Sequence, residues 1–155
     1  LFVRPVSSAA NGMNKLSFGL NGSYIYTNAK MPLATVTTGS QLEGAAPWIA
    51  NFDLSHNYTK GDHSFINTLV LNYVSDKIYT IGTQGYQDIM EQESMTLDFV
   101  SQAKLNKYIS LTLKARNLLN PSYKLSRKAN ESGEEVVLSD YKKGINISLG
   151  VSCTF

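Results

Sequence analysis

The stretch Gly144-Ile-Asn-Ile-Ser-Leu-Gly-Val-Ser-Cys-Thr-Phe155 alternates apolar and polar side chains without interruption. Successive side chains of an extended strand project to opposite sides of its sheet. Ile145, Ile147, Leu149, Val151, Cys153 and Phe155 therefore share one face, while Asn146, Ser148, Gly150, Ser152 and Thr154 share the other. A strand that stops on an aromatic of its apolar face suits a sheet whose greasy side meets something other than water.

The same period recurs upstream. Residues 15–27 read as the first full strand, with Leu16, Phe18, Leu20, Tyr24 and Tyr26 opposite Ser17, Gly19, Asn21, Ser23 and Thr27; only Ile25 is out of step. Residues 48–58 set Trp48, Ala50, Phe52, Leu54 and Tyr58 against Asn51, Asp53, Ser55 and Asn57. A third strand is expected over residues 63–81, with Phe65, Leu69, Leu71 and Tyr73 on its greasier face and Ile66, Val70 and Val74 blurring the pattern. The fourth, from Ser94, opposes Leu97, Phe99, Ala103 and Leu105 to Thr96, Asp98, Gln102 and Lys104. In the fifth, Ile109, Leu111, Leu113 and Ala115 oppose Ser110, Thr112, Lys114 and Arg116. Residues 1–6 read as the end of an earlier strand, with 7–14 as its turn. Residues 120–143 read as a charged hairpin built from 123–127 and 135–141 around Asn130-Glu-Ser-Gly133.

Short connections (59–62, 106–107) alternate with long ones (28–47, 82–93, 120–143). That asymmetry belongs to outer-membrane barrels, whose periplasmic turns are short and extracellular loops long. Tyr24, Tyr26, Trp48, Tyr73 and Tyr79 fall near the long-loop ends of the strands, and Tyr58, Phe65, Tyr108 and Phe155 near the short-turn ends. Two aromatic rows are what a bilayer favours at its two interfaces. The expected fold is therefore all-β: an antiparallel up-and-down transmembrane β-barrel, whole or as a segment. Asn21, Asp53, Asp98, Lys104, Lys114 and Arg116 are expected to face its lumen. The aromatic girdles are assigned to Tyr24, Tyr26, Trp48, Tyr58, Tyr73 and Tyr108.

Composition is compatible with this and excludes other classes. The chain of 155 residues is 43% hydrophobic and 17% charged, values that a barrel shares with soluble proteins because half of each strand is polar. No apolar run approaches the roughly 18 residues of a spanning helix. A net charge of +2, dispersed along the chain, gives no nucleic-acid footprint. The single cysteine, Cys153, excludes an internal disulfide and a thiolate metal cluster. Leu1 carries no initiator methionine or targeting signal, as in a fragment or processed product. Asp53, Ser55 and His56 are neighbours in sequence, yet His56 points away from the other two in a strand, so no catalytic triad is expected. His56 and His63 alone make a poor metal site. The Asn-x-Ser/Thr triplets at Asn21, Asn57, Asn130 and Asn146 are read as products of composition.

Three motifs add a resemblance. Leu111-Thr-Leu-Lys-Ala-Arg-Asn-Leu-Leu-Asn-Pro-Ser-Tyr123 resembles the penultimate strand of TonB-dependent receptors. Leu42-Glu-Gly-Ala-Ala-Pro-Trp-Ile-Ala-Asn-Phe-Asp-Leu-Ser55 is similar to that family's Gly-x-x-Pro segment and the strand after it, and residues 139–155 to the closing strand of Bacteroidetes-type members. Ser148, Gly150, Cys153 and Phe155 resemble the carboxy-terminal signal read by the barrel assembly machinery, with Cys153 where a larger hydrophobe is usual.

The resemblance implies a bacterial outer-membrane receptor, not an enzyme and without a cofactor. It would import a scarce nutrient of the siderophore, vitamin or glycan class. Residues 1–155 would be its carboxy-terminal barrel segment, the last six or seven strands of a larger barrel, with the plug and the remaining barrel absent. Its partners would be outer-membrane lipid, the rest of the barrel, a plug, and TonB through the absent amino-terminal part. The alternatives are a complete small outer-membrane barrel with a structural or adhesive role, and a soluble β-sandwich or lipocalin-like module.

Overall fold

The computed structural model describes the backbone of residues 6–9 and 12 and, in full, residues 13–27, 41–83, 85–129 and 133–154. The expectations for Phe155 and for Asn130 lie outside these residues. The described elements are the strands β1 (Val6–Ala9), β2 (Gly12–Tyr24), β3 (Trp48–Lys60), β4 (His63–Val74), β5 (Lys77–Thr80), β6 (Ile89–Glu91), β7 (Ser94–Lys104), β8 (Ile109–Arg116), β9 (Ser122–Lys128), β10 (Glu135–Lys142) and β11 (Asn146–Cys153). The chain is all-β, and every pairing is antiparallel.

Seven strands form one sheet in the order β1-β2-β3-β4-β7-β8-β11, and the other four form a second in the order β10-β9-β6-β5. The two orders match. β5 and β6 prolong the chain of β4 and β7, and β9 and β10 prolong that of β8 and β11, so the smaller sheet carries on the larger one beyond a common break. Among the described residues the large sheet does not close into a barrel: β1 and β11 are its edges.

Several boundaries differ from the sequence expectation. Residues 7–9 and 12–14, expected within a turn, are strand; β1 pairs with the start of β2, Val6 opposite Lys15 and Ala9 opposite Gly12. Ile25 breaks the alternation because β2 ends at Tyr24, after which the Ile25 N–H donates to the Pro47 carbonyl at 2.9 Å. The expected single strand over 63–81 is two. Ser75 interrupts it: its N–H donates to the Trp48 carbonyl and its hydroxyl accepts from the Trp48 N–H, both at 3.0 Å, which ends the β3–β4 ladder. The expected loop over 82–93 contains β6, and the expected hairpin is present as β9–β10, joined to β6 through β9.

The short-turn end is tight. Gly61, at φ 58°, turns the chain between β3 and β4 in a conformation that costs glycine little. Between β7 and β8 the Asn106 carboxamide oxygen accepts from the Tyr108 and Ile109 N–H groups at 2.8 Å each.

Almost nothing is buried. Among the described residues the buried apolar side chains are Ala46, Ile78 and Ala115, and no large side chain is fully covered. The accessible surface of 10793 Å² exceeds by more than a third the roughly 7,800 Å² expected of a compact chain of 17.1 kDa. Among the described residues no layer packs on the apolar face of the large sheet.

Candidate functional site

Residues directly opposite in an antiparallel pair share a face, so the register sorts every side chain of the large sheet. One row runs Leu20, Phe52, Leu71, Leu97; the next Phe18, Leu54, Leu69, Phe99, Ala115, Ile147; the next Leu16, His56, Asn67, Ser101, Leu113, Leu149. Tyr58, Phe65, Ala103, Leu111 and Val151 follow toward the short turns. Tyr24 opposite Trp48, and Ala50 opposite Tyr73, stand at the other end. Between these aromatic ends the described face carries no Asp, Glu, Lys or Arg, and Leu20, Ile147, Leu149 and Val151 are more than 60% exposed.

The aromatic ends are locally fixed. The Tyr24 and Trp48 rings lie 4.6 Å apart and those of Tyr58 and Phe65 6.4 Å apart, and the Tyr73 hydroxyl donates to Glu93 at 2.6 Å. Tyr108 sits at the short-turn end with the Lys107 ammonium 4.8 Å from its ring centre. Tyr26 lies beyond the end of β2 and is 74% exposed.

The opposite face is polar. Asn21, Asn51, Asn72 and Thr96 form one row, and Gly19, Asp53, Val70 and Asp98 the next. Ser17, Ser55, Thr68, Val100, Lys114 and Ser148 form a third. Arg116 and Lys104 alternate into the same side, opposite Asn146 and Ser110. All six residues expected in a lumen thus share one surface, and His56 points away from Asp53 and Ser55. The Ser55 and Thr68 hydroxyls are 2.6 Å apart, and the Asn72 amide donates to Thr96 at 3.4 Å. Gly19 has a close neighbour: a Cβ there would meet the carboxylate of Asp53, which lies across it and would have to swing aside. Gly150 has none, since a Cβ there would meet Thr112 at an ordinary 3.9 Å. Cys153 is a free, exposed thiol opposite Ile109.

The break between the sheets is built from the Asn-Leu-Leu-Asn motif. Asn117 and Asn120 take positive φ angles, 59° and 45°, which asparagine tolerates better than most residues. This turns the chain sharply and directs both carboxamides to one target: Asn117 Nδ2 donates to the Gly144 carbonyl at 2.7 Å, and the Gly144 N–H donates to Asn120 Oδ1 at 3.0 Å. The Asn117 N–H in turn donates to Asp98 at 2.9 Å, and the Leu118 N–H to the Leu97 carbonyl at 2.8 Å. On the β3 side the Leu42–Pro47 segment folds onto β5, its Gly44 N–H donating to the Ile78 carbonyl and its Glu43 carboxylate accepting from the Ile81 N–H.

The small sheet frames a cleft of about 620 Å³ lined by Asp76, Asp88, Gln92, Ser126, Lys128 and Glu135, among others. The Gln92 amide donates to Ser126 Oγ at 3.4 Å and to the Glu135 carboxylate. Hydrogen bonds from Ser126 and Gln92, helped by Lys124 and Lys128, hold Glu135 below the usual glutamate range. Nearby, the Tyr123 and Tyr141 rings stack at 5.7 Å with the Lys143 ammonium 3.6 Å from the Tyr123 ring centre. The hydrogen bond with Tyr123 raises the Lys143 pKa above its ordinary value. Sequence patterning missed this cleft because β6 is three residues long. Among the described residues no cluster of His, Cys, Asp and Glu could hold a metal ion.

No family model matches this chain, and neither a curated protein nor a solved structure matches it.

Proposed function

We propose that this chain is part of the wall of an outer-membrane β-barrel, the carboxy-terminal segment of a TonB-dependent receptor that takes up a scarce nutrient. The observation that carries the membrane reading is the apolar face of the large sheet, which bears no Asp, Glu, Lys or Arg between the Tyr24–Trp48 and Tyr58–Phe65 pairs and is left uncovered among the described residues. Ten residues separate Trp48 from Tyr58. At ~3.4 Å per residue and a strand tilt of ~40°, the rows stand ~26 Å apart across the bilayer, against a hydrocarbon-facing band of ~25 Å in such barrels. β2 and β3, at 13 residues each, exceed the ~9–11 that a tilted strand needs to span.

The larger-barrel reading follows from the polar face. Natural barrels start at eight strands, where the interior is only just wide enough for side chains. Seven strands curled into a tube would force Lys15, Asp53, Asp98, Lys104, Lys114 and Arg116 together. As part of a wider wall they line water. The Asn-Leu-Leu-Asn turn and the closing strand support the receptor over other barrels by resemblance.

The test is depth-dependent quenching in the full-length protein reconstituted into bilayers. Fluorophores attached at Leu149→Cys and Ser148→Cys, with Cys153 replaced by Ser, should respond oppositely to brominated acyl chains: strong quenching at 149 and little at 148. Equal or reversed quenching would refute the membrane reading. The mass of the native protein in outer membranes separates the two barrel readings; a value near 17.1 kDa would favour the small complete barrel.

A further inference from the structure

Along the hairpin β3–β4, one face presents a graded ladder of in-register pairs: Leu54 with Leu69, then His56 with Asn67, then Tyr58 with Phe65, then Lys60 with His63 at the turn. The polar pair is out of place for a simple lipid-facing band. It lies on the apolar side of the aromatic pair, displaced by two residues or ~6.8 Å along the strand, which is ~5 Å of depth at a tilt of ~40°. A third polar residue extends it: Ser101 is opposite Asn67 and donates its hydroxyl to Asn67 Oδ1 at 2.7 Å. With its oxygen so engaged, the Asn67 carboxamide has its N–H groups left to donate, and the exposed imidazole of His56 stands beside it. In hydrocarbon such donors cost free energy unless an acceptor meets them. No carboxylate shares this face between the aromatic rows, and Asp62 and His63 border a separate cleft with Asn57, Thr59 and Lys104 of the polar face.

We infer that His56, Asn67 and Lys60 form a binding site for a single glycerophospholipid. The inference rests on the membrane reading above. A glycerophospholipid supplies what the ladder lacks, in the right order: a phosphate for the Lys60 ammonium outside the Tyr58–Phe65 pair, ester carbonyls ~5 Å deeper for the His56 and Asn67 donors, and acyl chains that run on over Leu54, Leu69 and Phe99. Charge complementarity selects this occupant over a second copy of the sheet, which would bring the same donors and no acceptor of opposite charge.

The experiment uses the full-length protein extracted from outer membranes, with bound lipid counted by native mass spectrometry after titration with dioleoylphosphatidylglycerol or with dioleoylglycerol, which has the ester carbonyls without the phosphate. The wild type should hold the phospholipid at least about tenfold more tightly than dioleoylglycerol, the factor that ~1.4 kcal/mol represents. Lys60→Gln, at the exposed last residue of β3, should abolish that preference. Asn67→Leu with His56→Leu should weaken both ligands. Equal binding of the two lipids by the wild type, or retention by the variants equal to wild type, would overturn the site while leaving the membrane reading intact. A dimer that the same substitutions dissolve would overturn it in favour of a second copy. Absence of the wild-type protein from the membrane fraction would overturn the membrane reading itself.

Discussion

Asn117 shows how much a single side chain can do at the end of a strand. Its backbone adopts φ 59°, its N–H is held by Asp98, and its carboxamide holds Gly144. Asn117→Ala should therefore cost about 1–3 kcal/mol, combining a lost hydrogen bond with left-handed strain. Asn117→Gly, free of the strain, should cost less, and equilibrium unfolding of the two variants would measure the difference. Equal costs would mean that the positive φ carries no penalty. The last strand offers a cleaner comparison. On the membrane reading, Leu149→Lys places a charge in hydrocarbon at about 2–4 kcal/mol near the midplane, whereas Ser148→Lys joins Lys114, its in-register neighbour, on the hydrated side and should cost much less. The reverse order would contradict the assignment of the two faces to lipid and water.

At the scale of elements, the small sheet is tied together by polar contacts as much as by its ladders. Glu135 is held below its ordinary pKa, so the folded state favours its charged form. Whatever this contributes to stability is present above the unfolded-state value of ~4.3 and is lost as pH falls through the lower folded value. A carboxyl-resolved NMR titration should accordingly place the Glu135 midpoint below that of an unstructured glutamate, and Gln92→Ala should move it upward. An unchanged midpoint in that variant would show that the Gln92 amide contributes nothing.

The long strands were legible in the sequence because their period of two is a local property: Leu16 to Leu20, Trp48 to Leu54 and Ile147 to Val151 each declare their face without help from elsewhere. The break at Ser75 was not legible. Apolar residues continue past it at Ile78 and Tyr79, and the interruption is imposed by Trp48, 27 residues away. β6 is too short to show a period. The two asparagines of Asn-Leu-Leu-Asn were visible as a motif, but their common target, Gly144, is 27 residues from Asn117, a pairing that no local pattern encodes.

For the whole molecule, the polar ties at Ser75, Asn117, Asn120 and Gly144 lie along one transverse seam, because both sheets keep the same strand order on either side of it. Across this seam the ladders are interrupted, so backbone opening on one side need not propagate to the other. Amide hydrogen exchange should resolve two cooperative units: slow exchange at Phe52, Leu71 and Leu97 in the middle of the large sheet, and faster, collective exchange in Lys77–Thr80, Ile89–Glu91, Ser122–Lys128 and Glu135–Lys142. A single protection level across both would mean that the seam transmits unfolding. If the two levels are found, the fold has the means to rearrange its small sheet at a free-energy cost far below that of global unfolding, keeping the large sheet paired while the small one samples other shapes.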